Sequence, residues 1–366
     1  MQSFHPPRRL LLGPGPSDVP RRILDALARP TIGHLDPAYV GMMEELKTLL
    51  RYAFKTANPL TIPVSAPGSA GMEACFVNLV EPGDTVIVCR NGVFGGRMRE
   101  NVVRAGASAV MVDDEFGRPV DPEKVEAALR ANPGAKALAF VHAETSTGAR
   151  SDAATLCRLA REHGALSIVD TVTSLGGCEV DVDGWGADAV YSGSQKCLSA
   201  PPGLSPVTFS PRATETVKAR KVPVQSWFLD MSLVMAYWDG TGGRSYHHTA
   251  PINMTYALHE SLLILHEEGL EAAWARHQAN HERLRAGLQT MGLALLGDDD
   301  GARLPQLNPV VVPEGVDEAG VRRALLDDHG IEIGAGLGPL AGKIWRIGLM
   351  GASSRPEAVD RLLEAL

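Results

Sequence analysis

A lysine set in a turn of small residues, Tyr191-Ser192-Gly193-Ser194-Gln195-Lys196, follows directly on a short apolar run. An amine in such a place can do more than carry charge, because it can condense with an aldehyde. Upstream, a second apolar run, Ala165-Leu166-Ser167-Ile168-Val169, ends in Asp170. A carboxylate at the end of a strand can pair with a protonated ring nitrogen. The two together suit pyridoxal phosphate, an aldehyde cofactor that stores amino groups. Lys196 would bind its aldehyde and Asp170 its pyridine nitrogen.

Other stretches offer matching parts. Pro67-Gly68-Ser69-Ala70-Gly71 opens an apolar helical run, Met72–Val80, which Glu81-Pro82-Gly83 terminates. A helix that begins with small residues presents free backbone N–H groups and a positive dipole end, so it can cradle a phosphate. Asn91-Gly92-Val93-Phe94-Gly95 reads as a tight turn carrying Phe94. That ring is either a core anchor or a flat face laid beside a flat cofactor. The polar cluster from His142 to Gly148 follows a strand and is either turn chemistry or a ligand-bearing edge. Tyr246-His247-His248-Thr249 contains a histidine pair, but adjacent histidines rarely ligate one ion, so no metal site is expected. Arg346 interrupts the apolar strand Ile344–Leu349. It must be paired in a structural salt bridge, reach outward, or meet a ligand. A carboxylate substrate would match its planar fork.

The elements that must position these residues are legible as alternating β and α patterns. Strands are expected at Thr85–Cys89, Ala137–His142, Ala165–Val169, Ala187–Tyr191 and Pro206–Phe209, with helices between them at Asp121–Ala131 and Ala153–His163. This alternation predicts an α/β fold with a mainly parallel sheet between helices, with ligands at the carboxyl ends of the strands. A long helical pattern from Tyr256 past Gly269 towards Leu288 leads into a smaller α+β domain. That domain has a helix at Val321–His329, strands at Pro309–Val312 and Ile344–Leu349, and a glycine-rich run from Gly334 to Gly338. The expected division is an N-terminal arm at 1–17, a large domain at 18–267 and a small domain at 268–366.

The 366 residues are enough for two cores, and 45% hydrophobic with 21% charged residues is ordinary for a globular chain. The formal net charge of −8 argues against nucleic acid as a partner. Five scattered cysteines without CxxC spacing suggest reduced, buried thiols. No signal-peptide pattern, membrane-length apolar run or peroxisomal address is visible, so a cytoplasmic location away from membranes is expected. The acidic run Asp298-Asp299-Asp300 reads as a solvated turn, and a glycine-rich loop is expected at Gly240–Gly243.

Taken in order, Leu12-Gly13-Pro14-Gly15-Pro16-Ser17, Asn58-Pro59-Leu60-Thr61, Asn91-Gly92, Ser146-Thr147-Gly148, Asp170, Ser174-Leu175-Gly176-Gly177, Ser192 to Lys196, Ala200-Pro201-Pro202-Gly203, Tyr246 to Thr249 and Arg346 to Leu349 span nearly the whole chain. In this set the sequence resembles the class V, fold-type I pyridoxal-phosphate aminotransferases. The resemblance implies a seven-stranded-type sheet and a homodimer with shared active sites. It implies that Lys196 holds the cofactor and moves the substrate proton, while Asp170 keeps the pyridine nitrogen protonated. Val172 and Phe94 would cover the two ring faces, and Thr145 would contact the ring hydroxyl. Ser69, the Ala70 backbone and Gln195 would bind the phosphate, with Tyr246 and Thr249 reaching it from the neighbouring subunit. Arg346 would hold the substrate carboxylate, and the Pro14-Gly15 backbone would line the pocket. Phe94 stands where the family often has Trp, Ala70 where glycine is common, and Ser69 where His or Thr occurs.

The activity implied is transfer of an amino group from alanine or serine to glyoxylate or another small 2-oxo acid. Alternatives are a transaminase using pyridoxamine or an aminophosphonate as donor, a cysteine desulfurase-type lyase, and a non-enzymatic ligand sensor. The lyase would need a mobile cysteine late in the chain, and none follows Cys197. The sensor would need an appended partner domain, for which no residues are spare.

Overall fold

The computed structural model describes residues 1–238, 244–297 and 300–366. The loop expected at Gly240–Gly243 and the acidic residues Asp298 and Asp299 lie outside them. Seven strands form the main sheet: β1 Leu60–Val64, β2 Thr85–Arg90, β3 Ser108–Asp113, β4 Ala137–Val141, β5 Leu166–Asp170, β6 Ala189–Tyr191 and β7 Ser205–Phe209. Their order is β1-β7-β6-β5-β4-β2-β3, and every pairing is parallel except those made by β7. The central strands are buried along their whole length, as continuous apolar runs such as Ala137-Leu138-Ala139-Phe140-Val141 require. Both edge strands, β1 and β3, escape the sequence reading. Pro63 disguises β1, because proline is tolerated in a sheet at an edge and argues against a strand elsewhere.

Two helices matter most for the site, α1 Gly68–Leu79 and α2 Val93–Arg104. The second corrects the sequence reading of a tight turn around Phe94, which in fact lies in the first turn of a helix. The long C-terminal helical pattern is two helices, α3 Ile252–Glu268 and α4 Leu270–Thr290, separated at Gly269, whose φ of +87° only glycine adopts readily.

A smaller antiparallel sheet follows, with β8 Leu307–Val311, β9 Gly334–Ala335 and β10 Ile344–Gly348 in the order β8-β10-β9. Among the described residues, two apolar clusters are the principal cores. One runs from Tyr39 to Ala273, and the other combines Leu10 and Leu12 with Leu284, Val310, Trp345 and Leu362. We propose that the domain boundary lies along α4, whose Ala273 packs in the first core and Leu284 in the second. The N-terminal arm belongs physically to the second core, because Leu10 and Leu11 pair in parallel with Ile331 and Glu332. No described helix is long and apolar enough to cross a membrane.

Candidate active site

The carboxyl ends of β4, β5 and β6 meet at one edge of the main sheet. Register places Asp170, the last residue of β5, beside Val141 on one side and Tyr191 on the other. The Tyr191 hydroxyl donates to Asp170 Oδ2 at 2.7 Å, and the Val172 N–H donates to Oδ1 at 2.8 Å. Burial pushes the carboxyl up to about 6, against the pull of these donors and of Lys196 and Arg97. A buried acid of this kind is completed by a cationic partner.

Lys196 leaves the loop after β6 and reaches back across this edge. Its Nζ donates to the Pro14 carbonyl at 2.5 Å. Burial lowers it to about 8, and the Arg346 guanidinium pushes in the same direction. The loop itself is braced. Ser17 N donates to the Gln195 carbonyl at 3.0 Å, and the Ser17 hydroxyl donates to the Lys196 carbonyl at 2.7 Å. Ser199 closes the turn at φ +55°, an uncommon conformation for a residue with a Cβ. Gly15 has φ +105°, a conformation that residues with a Cβ rarely adopt, and a Cβ there would also crowd the Lys196 side chain.

Asp170, Tyr191 and Lys196 line a cleft of about 180 Å3 together with Gly68, Ser69, Phe94, Thr145, Val172 and Gln195, whereas Pro14 and Gly15 are not in its lining. The first N–H groups of α1, at Gly68 and Ser69, have no intrahelical acceptor and open at the cleft. The Ala70 N–H instead donates to the Pro67 carbonyl at 2.7 Å, and Ala70 does not line the cleft. Gln195 is partly buried, and its Oε1 is buried without a hydrogen-bond partner among the described residues.

Arg346, in β10, approaches from the small sheet. Its Nε donates to the Ala335 carbonyl at 2.6 Å and Nη1 to the Thr145 carbonyl at 3.3 Å. Only 7% of the residue is exposed, yet it enters no ion pair among the described residues. The bland expectation of a structural salt bridge is therefore not what the fold provides.

Tyr246 and Thr249 are exposed and line no part of this cleft. Tyr246 is 65% exposed and packs on the His34 ring at 5.4 Å. The adjacent histidines bond to one another, Nδ1 to Nδ1 at 2.7 Å, and His248 Nε2 pairs with the Ser65 hydroxyl at 2.7 Å. His142 ends up outside the cleft. It packs edge-on against Trp185 at 4.8 Å and faces a separate cavity of about 460 Å3.

Sequence reasoning missed three contributors. Tyr191 reaches Asp170 only through strand register. Arg97 lines the cleft from α2, its guanidinium carbon 4.7 Å from the centre of the Phe94 ring. Glu144 is buried beside Ser146 and held up at about 7 by burial. The signal available for Glu144 was its place in the polar cluster from His142 to Gly148, which the sequence left between turn chemistry and a ligand-bearing edge.

The donor set fits pyridoxal phosphate. A partly buried lysine with a depressed proton affinity suits the aldehyde, and a buried acid with a raised one suits a ring nitrogen that brings a proton. The start of α1 offers unpartnered N–H groups to a phosphate.

The Aminotransferase class-V family model matches residues 11–360. The (S)-ureidoglycine–glyoxylate transaminase of Bacillus subtilis (strain 168) is 39% identical, over 98% of this chain and 90% of its own length. The alanine–glyoxylate aminotransferase of Oryctolagus cuniculus is 40% identical, over 98% of this chain and 92% of its own. The crystal structure of the alanine–glyoxylate aminotransferase of Nostoc sp. superposes with a TM-score of 0.97 at 48% identity, covering 100% of this chain and 96% of that one.

Proposed function

The chain belongs to the class-V aminotransferases, which depend on pyridoxal phosphate, and from that premise we propose that it moves an amino group from alanine or serine to glyoxylate or another small 2-oxo acid. Glyoxylate is common to the names of the relatives above, whereas their donors differ. The observation that carries a carboxylate-bearing substrate is Arg346. Its guanidinium is buried, enters no ion pair among the described residues and feels the Glu144 carboxylate only through space, so a substrate carboxylate would complete it.

When bound, the cofactor supplies an electron sink for the carbanion at the substrate Cα. The chain's own residues do the rest. Lys196 would hold the cofactor, and its Nζ would take the Cα proton and return it, a role served by a lowered proton affinity. Asp170 would accept a hydrogen bond from the protonated ring nitrogen, with Tyr191 and Val172 N–H fixing its two oxygens. Phe94 and Val172 would contact the ring, and Thr145 its hydroxyl. Ser69, with the backbone at the start of α1, and Gln195 would receive the phosphate. Pro14 and Gly15 would close the substrate side.

We further propose a homodimer in which Tyr246 and Thr249 complete the phosphate site of the other subunit. Both are exposed and lie outside their own cleft. A groove of about 530 Å3 shares Ser69, Met72 and Arg97 with that cleft and continues to Gln225 and Ser226. Next to it in the chain, Trp227 is 63% exposed, an apolar surface suited to a second copy.

Pyridoxamine has no carboxylate for Arg346, which disfavours it as donor. The lyase reading lacks its thiol, because all five cysteines are buried. The test is to load the protein with cofactor, offer amino acids singly, and follow the absorbance change of the bound cofactor. The reverse half is then run from the amine-loaded protein with single oxo acids. Alanine or serine should be consumed, and glyoxylate should restore the starting spectrum. Equal turnover of amines lacking a carboxylate would overturn the reading.

A further inference from the structure

Glu144 is a fully buried carboxylate for which the reaction described above has no use. It sits in a two-stranded hairpin, Ala143–Glu144 paired with Ala149–Arg150, directly after β4. Its Oε1 accepts from the Ser146 N–H at 3.0 Å and from the Ser146 hydroxyl at 2.6 Å. Its Oε2 accepts from the Phe94 N–H at 3.1 Å. The Ser146 oxygen in turn accepts from the Val93 N–H at 2.9 Å. The first two N–H groups of α2 thus end on the hairpin, and Gly92 at the N-cap gives no side-chain bond.

The packing is built around this contact. A Cβ on Gly92 would lie 2.3 Å from the Glu144 carboxyl carbon and 2.6 Å from the Ser146 hydroxyl. Gly92 has an extended backbone with φ −177°, so space rather than conformation requires glycine there. A negative group at a helix N-terminus is favourable both as an acceptor for unpaired N–H groups and against the helix dipole. The clamped turn carries Phe94, and one turn on it carries Arg97, which covers the Phe94 ring. The hairpin also carries Thr145, whose carbonyl receives Arg346.

We infer that Glu144 is a positioning residue that fixes the Phe94 ring in the cofactor cleft by clamping the first turn of α2, an inference that rests on reading Phe94 as a residue that stacks on the cofactor ring. The carboxylate is not in the lining of the cofactor cleft. It acts through the backbone of the residue that does.

The test strips the protein of cofactor and reloads it with pyridoxal 5′-phosphate. The dissociation constant is measured by equilibrium dialysis, and the visible-region circular dichroism of the bound cofactor reports how rigidly its ring is held. Wild type is compared with Glu144→Ala, Glu144→Gln, Phe94→Ala and the Glu144→Ala/Phe94→Ala pair. Losing a hydrogen bond to a charged group should weaken binding by about tenfold in Glu144→Ala. The dichroism should fall with it. Where Phe94 is already alanine, Glu144→Ala should add no more than about twofold, because the two act as one unit. Glu144→Gln keeps an acceptor for Ser146 but loses the charge facing α2, so it should show a smaller loss of the same kind even if the alanine variant fails to fold. Full additivity in the pair, or unchanged binding and dichroism in the glutamine variant, overturns the inference and leaves the stacking role intact. Unchanged behaviour in Phe94→Ala overturns the stacking role and the inference together.

Discussion

Burial first, then the guanidinium groups of Arg346 and Arg97, lower Lys196, and burial alone outweighs every donor around Asp170. Each gives a prediction with a definite sign. Arg346 lowers the proton affinity of Lys196, so Arg346→Gln should move the lysine ionisation from about 8 upward, while Arg346→Lys, which keeps the cation, should leave it nearly in place. The pH dependence of the rate at which cofactor-free protein takes up pyridoxal 5′-phosphate reads this directly, and a midpoint unmoved in the glutamine variant contradicts it. Asp170 is raised in the folded, cofactor-free protein from 3.8 to about 6. Its contribution to stability is fully present below 3.8 and is lost as pH rises through about 6. Asparagine is neutral throughout, so cofactor-free Asp170→Asn should gain stability relative to wild type as pH goes from 4 to 7, by about 3 kcal/mol at most. Thermal melts of both proteins across that range test it. A gap that shrinks with rising pH would mean that Asp170 is held ionised without cofactor.

The decisive elements are short. The N-terminal arm, the hairpin after β4 and the loop after β6 hold more of the site than the long helices do. The arm packs in the second core and runs on to the lysine loop. Leu12 receives the Gly348 N–H at 2.8 Å, the Pro14 carbonyl receives Lys196, and Ser17 braces the lysine loop. The contact between arm and β10 leaves no room, since a Cβ on Gly348 would lie 1.9 Å from the Gly13 carbonyl oxygen. Gly348→Ala should therefore push the arm away from β10 and cost about 1–3 kcal/mol, the usual scale of overpacking. Urea denaturation would show it. Retained stability together with unaltered cofactor uptake would mean that the arm yields without consequence for Lys196.

In the proposed homodimer, Tyr246 and Thr249, exposed on either side of the histidine pair, would meet the groove beside the cleft of a second copy. Mixing Lys196→Ala with the Tyr246→Phe/Thr249→Ala variant under conditions of proven subunit exchange tests a shared site. In a mixed dimer one site collects both defects and the other is intact, so partial recovery of activity is expected. No recovery would confine each site to one chain. A monomer would lack part of its phosphate site, so dimerisation should tighten cofactor binding by mass action.

Chemistry that is local in the chain was legible without coordinates. Lys196 in its small-residue turn, Asp170 at the end of an apolar run and Arg346 inside one each break a pattern that hydrophobic burial would otherwise keep. The parallel sheet followed from the same alternation of apolar strands and amphipathic helices. Contacts between distant segments were not legible. Tyr191 meets Asp170 because β5 and β6 pair in one register, and no spacing rule states that register. Gly92 and Gly95 made the stretch around Phe94 look like a turn, because glycine is a poor helix former. The helix starts there because Glu144 and Ser146, some fifty residues further along, supply the acceptors that its first N–H groups need. Sequence thus determined which residues could do chemistry. Tertiary structure decided their ionisation and their neighbours, because burial and through-space charge depend on where the chain returns.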